Sequence, residues 1–133
     1  MKRGGRHQAV GNCKKTKAIA VIDFALAAAL YALEHNWDRL AEDHDNAHHL
    51  AAGIANIKGL ECEVAKMQTN LVFFEVKKPG MTGAQFVAAC NERGVGMGTS
   101  AGSTTRIRAV THLDVNRTDI DAALKVINDV MAA

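Results

Sequence analysis

The sequence predicts a small α+β fold: a mainly antiparallel or mixed sheet with helices on one face, preceded by a long helix. Three observations predict it. Ala- and Leu-rich runs with nothing to break them dominate the first part of the chain. Short β-branched and aromatic runs, above all Leu71-Val72-Phe73-Phe74, follow between turn residues. Helical patterns interrupt those strand-like runs and close the chain, giving the order helix, helix, strand, strand, helix, strand, strand, helix.

Ala18 to His35 reads as the first helix, and Asn36 interrupts it. A second helix is expected from Trp37 to Ile57, with Trp37, Leu40, Ala47, Ala51 and Ile54 at the spacing of one apolar face and Gly59 beyond its end. Leu60–Val64 and Asn70–Val76 read as strands, the second central, and Lys77-Lys78-Pro79-Gly80 as a turn. Thr82 can cap a third helix reaching about Arg93, with Phe86, Val87 and Cys90 inward and Gly94 at its end. Val95–Gly98 reads as a short strand. Thr105–Val110 reads as another, with Ile107 on one side and Arg106 and Arg108 on the other. Asn116 with Asp119 three residues later resembles a capping box, opening a last helix that buries Ile120, Leu124, Ile127 and Met131.

The chain has 133 residues, enough for one domain, with 48% hydrophobic and 23% charged residues. Its net charge of +2 hides an asymmetry, because Lys2, Arg3, Arg6, Lys14, Lys15 and Lys17 all precede the first acid, Asp23. Residues 1–17 are therefore expected as a basic, disordered start, and residues 18–133 as the folded domain. The basic stretch lacks the aromatic interleaving of a nucleic-acid stacking surface, so no nucleic-acid partner is expected. The apolar run Ala18–Leu33 contains Asp23 and is too short for a membrane span, so it reads as a helix packed on protein. Three cysteines with no CxxC pair argue against a disulfide framework or zinc finger. Cys90 shares helical spacing with Phe86 and reads as a small core residue, and reduced thiols point to the cytoplasm.

Gly96-Met97-Gly98-Thr99-Ser100-Ala101 spells a dinucleotide-binding pattern in letters, but a strand rather than a helix is expected after it. It reads as a Gly-rich connection. His44, His48 and His49 lie together on the second helix, and His44 and His48 are four apart. His44 falls on the apolar stripe, however, where a packed histidine is the expectation, and no metal site is assigned. No nucleophile elbow is present, and no catalytic residue is nominated. Arg106 and Arg108 share a strand face, with His112 just beyond. Taken alone they read as two exposed strand arginines. An arginine fork also pairs bidentately with a carboxylate, so that role stays open.

Several stretches, in order and at matching spacing, resemble the C-terminal part of the low-specificity threonine aldolases. They are Ala29–Asn36, Asp38–His44 with Asn46-Ala47, Gln68–Phe74, Glu92–Val95, Arg106–Val115 and Asp119–Asp121. The resemblance covers about residues 25–133. It implies the C-terminal small domain of a fold-type I pyridoxal-phosphate (PLP) enzyme, which cleaves threonine or allo-threonine to glycine and acetaldehyde. It implies that Arg108, just before Val110-Thr111-His112, binds the substrate α-carboxylate. It also implies a homo-oligomer whose active sites lie at subunit interfaces. In that family a lysine of the large domain holds the cofactor.

No lysine here stands in that context, so no cofactor-binding residue is assigned. PLP binding and activity by this chain alone are not expected, and a partner chain carrying the cofactor domain would be needed. A Gly-Gly-Gly-Met-Arg-Gln segment of the family is also replaced, at its spacing, by Ala18–Asp23. Similarity stops near residue 24, as a frameshift, a truncated gene or a mis-set start would produce. The competing expectation is a non-catalytic association module built on the apolar first helix.

Overall fold

Leu71–Val76 alternates buried and half-exposed residues and builds the centre of a four-stranded sheet. The computed structural model describes residues 9–133, and the side chains of the first helix from Ile22 onward. Its elements are α1 (Ala9–Asn36), α2 (Leu40–Ala55), β1 (Leu60–Glu61), a 3-10 turn (Val64–Lys66), β2 (Leu71–Val76), α3 (Gly83–Asn91), β3 (Gly98–Thr99), β4 (Arg106–Val110) and α4 (Arg117–Ala132). The strand order is β1-β2-β4-β3, with every pairing antiparallel. The α+β architecture expected from the sequence is the one observed.

The chain divides into a unit ending at Asp38 and a second unit, Arg39–Ala133. Residues 1–8 of the expected disordered start lie outside the described residues. Its remaining residues, 9–17, belong to α1, which begins nine residues before the expected Ala18. Lysine and alanine are good helix formers, and no proline intervenes. From Ile22 to Leu33 the side chains of α1 are exposed all around the helix, Phe24 at 79% and Leu26 at 66%. No helix among the described residues is long and apolar enough to cross a membrane.

In the second unit, α2 and α3 pack on the sheet face that carries Val72, Phe74, Val76, Ile107 and Ala109, all buried, and α4 packs against both helices. Phe74 and Phe86 meet edge to face, with ring centroids 5.9 Å apart. Thr82 caps α3 as expected, there as part of a full capping box, and the expected capping box of α4 also forms. Thr82 and Gln85 close the start of α3, and Asn116 and Asp119 the start of α4, each satisfying backbone N–H groups that have no partner inside the helix. Gly83 sits where α3 meets the end of the β3–β4 loop. A Cβ there would lie 3.0 Å from Ile107 Cδ1 and 3.1 Å from the Thr104 carbonyl oxygen, so glycine allows the close approach. Cys90 is fully buried as expected, and burial pushes its thiol up to about 11, with Arg93 pulling the other way. It therefore stays protonated and inert near neutral pH.

Three expectations are corrected. The second helix starts at Leu40 rather than Trp37, and both of those residues are exposed. Its buried face is Asp43, Asn46, Ala47, Leu50, Ala51 and Ile54, so two polar residues sit where an apolar count finds none. His44 lies half-buried beside that face rather than packed in the core. Finally, β1 ends at Glu61 instead of running to Val64, because the chain turns into the 3-10 segment.

Candidate functional site

The sheet face opposite the helices is open. Its residues follow from the pairing register, because residues directly opposite in an antiparallel pair point to the same side. Glu75 faces Arg106, Phe73 faces Arg108 and Leu71 faces Val110 across β2 and β4. On the other side of β4, Gly98 faces Arg108. The alternation read from the sequence holds: Ile107 is fully buried, and Arg106 and Arg108 both lie on the open face.

The two arginines differ in what they touch. The Arg106 guanidinium carbon lies 5.0 Å from the centre of the Phe73 ring, a cation–π contact that commits this side chain to the sheet. Beside it, Glu75 accepts a 2.7 Å hydrogen bond from the Thr105 hydroxyl. Arg108 is exposed and makes no hydrogen bond or ion pair among the described residues. Its fork is thus presented outward from a strand fixed on both sides by backbone pairing, which suits recognition of a planar anion.

The strand is anchored at its far end by Thr111, which is fully buried. The Thr111 hydroxyl donates to the Asp43 carbonyl at 2.7 Å, and its N–H donates to the Asn70 carbonyl. The Asn70 amide returns a bond to the Thr111 carbonyl, also at 2.7 Å. Asn46 donates to the Val115 carbonyl. These bonds tie the end of β4 to α2 and to the start of β2. Among the described residues no buried side-chain polar atom lacks a partner. His112 lies past the strand in a turn, where its Nδ1 accepts from the Asp114 N–H. It does not join the arginines on the open face.

The histidines of α2 do not converge. His48 is exposed, His44 half-buried, and His49 bonds Asp121 at 2.6 Å. No group of three potential metal ligands gathers among the described residues. Two concavities of the described residues lie elsewhere, and Arg108 lines neither. One, of about 740 Å³, lies between the α2–β1 turn and the chain end. The other, of about 730 Å³, covers the β1–β2 side of the open face and includes Phe73, Glu75 and Arg106. Arg108 is placed on an open sheet rather than in a closed pocket.

A PLP-bound lysine needs an amine near the substrate and free of a fixed partner, and three of the described lysines are engaged elsewhere. Lys66 and Lys77, which border the open face, pair with Glu63 and Glu61. Lys78 donates to the Met131 carbonyl at 3.0 Å. Phe73, Gly98 and the Thr111 anchor were not identified as site residues from the sequence. Their roles depend on the strand register, which no sequence spacing reveals.

No family model matches the chain. Low-specificity L-threonine aldolase 1 of Arabidopsis thaliana is 31% identical over 106 residues, which are 79% of this chain and 29% of that protein. The low specificity L-threonine aldolase of Escherichia coli K12 is 35% identical over 91 residues, 68% of this chain and 25% of that protein. Among solved structures, a C-DES mutant with glycine covalently linked to its PLP cofactor superposes with a TM-score of 0.62 at 22% identity, covering 69% of this chain and 24% of that one. Mouse CSAD gives 0.52 at 18% identity, over 70% and 23%. The chain thus spans between a quarter and three tenths of the length of the aldolases it matches. Over that span it is a relative of the low-specificity L-threonine aldolases, with the small α+β fold found in fold-type I PLP enzymes.

Proposed function

We propose that these residues form the substrate-carboxylate part of a threonine aldolase-like PLP lyase, which converts threonine or allo-threonine to glycine and acetaldehyde. The observation that supports this most is Arg108. It is exposed, without a partner among the described residues, and held on a register-fixed strand within the aldolase-like sequence. Its work is to bind the α-carboxylate with two parallel N–H donors and so fix the orientation of the Cα–Cβ bond. Phe73 and Arg106 stiffen the face beside it, and Thr111 holds the strand end in place. The cofactor and its lysine belong to another segment or to a partner chain, so the 133 residues alone are inactive. The setting is the reducing cytosol, in keeping with the free thiols of Cys62 and Cys90.

A chimera tests this. Arg39–Ala133 would replace the matched segment of the E. coli aldolase, with cofactor absorbance as the check on assembly. Threonine cleavage by an assembled chimera is the expected result. An assembled chimera with no cleavage counts against the proposal.

The exposed apolar side chains of α1 favour a second, compatible role in homo-oligomer formation. Light scattering of the wild-type chain is expected to give a multimer. Replacing Leu26, Leu30 and Leu33 by Glu is expected to give a monomer. A monomeric wild-type chain removes this reading.

A further inference from the structure

The glycine-rich stretch Gly96–Ala101, set aside as a nucleotide loop, contributes the edge strand β3 and places Gly98 directly across from Arg108. Glycine inside a strand is unfavourable, because it packs no side chain and loses more backbone freedom than any other residue. Two common reasons for accepting that loss are missing at this position. The φ of Gly98 is outside the left-handed region, unlike those of Gly94 and Gly102 on either side of it. A Cβ built on Gly98 would meet no atom within 4 Å, so nothing in this chain crowds the position.

The register of Gly98 and Thr99 with Arg108 and Ile107 is one-to-one, so no bulge lies between them, and a further reason for a strand glycine is the close approach of a ligand or of another backbone. Its location favours a ligand. The missing side chain leaves the open face bare at the register position across from Arg108, while Phe73, across from Arg108 on the other side, is in contact with Arg106. A ligand whose carboxylate pairs with Arg108 has its α-carbon close to the carboxylate, where a Cβ at position 98 would intrude.

We infer that Gly98 is a positioning residue that makes room for the α-carbon end of a small α-amino carboxylate bound at Arg108. This rests on the carboxylate reading of Arg108 and adds the feature that limits bulk beside it.

The test uses the full chain, isotope-labelled, with glycine and L-threonine as probes at millimolar concentrations. Binding is followed at the Arg108 Nε–H and Gly98 amide resonances. Gly98→Val is expected to weaken binding of both probes roughly tenfold or more, as bulk forced into a filled space does. Gly98→Ala should weaken L-threonine more than glycine, with a melting temperature unchanged or raised, since alanine restricts the unfolded chain at a compatible φ. Arg108→Ala should remove the shifts.

If Gly98→Val binds as the wild type does while Arg108→Ala does not, the role of Gly98 is overturned and the Arg108 reading stands. The same holds if Gly98→Val alters only the mass in solution, which would point to a neighbouring backbone. It holds too if Gly98→Ala lowers the melting temperature along with binding. No saturable shift in the wild type, or full binding by Arg108→Ala, overturns both readings.

Discussion

In the aldolase chimera carrying Arg39–Ala133, Arg108→Ala is expected to lower kcat/KM for L-threonine by about 10- to 150-fold or more, since each hydrogen bond to a charged group is worth about 1.5–3 kcal/mol. Arg108 makes no competing bond among the described residues, so its removal leaves the sheet intact and strips out only the ligand contact. Arg108→Lys should recover little of the loss. An ammonium keeps the charge but loses the planar fork, and its flexible stem positions the carboxylate poorly. Steady-state kinetics and a melting curve on the same samples decide the matter. Arg106→Lys serves as the comparison, because Arg106 rests on Phe73 and is expected to affect the rate far less. Wild-type kinetics for Arg108→Ala would end the carboxylate assignment.

Phe86→Ala is expected to destabilise the folded unit by about 3–5 kcal/mol. Phe86 is fully buried on α3, edge to face with Phe74 on β2. Truncation removes that contact and leaves a void which the sheet, paired on both sides of β4, cannot close. Against a total stability of roughly 5–15 kcal/mol, such a loss leaves the variant marginal or unfolded. Urea denaturation should show a lower midpoint with an unchanged slope. Phe86→Leu should cost less than about 1.5 kcal/mol by keeping most of the volume. A loss below about 1 kcal/mol for the alanine variant would mean that this contact is not central to the core.

Much of this was legible in the sequence, for identifiable reasons. Two-residue alternation put Ile107 inside and Arg106 and Arg108 outside, as observed. Side-chain capping chemistry is local, so Thr82 as a cap and Asn116 with Asp119 as a capping box could be read from the sequence alone, while Gln85 as the partner of Thr82 came from the structure. Where partners lie far apart in the chain, the reading ran out. On the buried face of α2, the Asn46 side-chain amide bonds the Val115 carbonyl and the Asp43 backbone carbonyl accepts from Thr111, partners about 70 residues away. A count of apolar residues instead extended that face to Trp37 and Leu40, both exposed. Gly98 looked like part of a loop until the β3–β4 register set it against Arg108. Asn46, Asn70 and Thr111 are the hydrogen-bonding residues that hold the arginine strand.

If these residues supply the carboxylate contact and not the cofactor lysine, the purified chain forms no specific adduct with pyridoxal phosphate. A titration of the purified chain with pyridoxal phosphate tests it most directly, following aldimine absorbance, trapping with borohydride and mapping the label on peptides. No saturable adduct is expected, only scattered low labelling across surface lysines. A single lysine labelled saturably and at one equivalent would contradict it, because the chain would then hold the cofactor by itself.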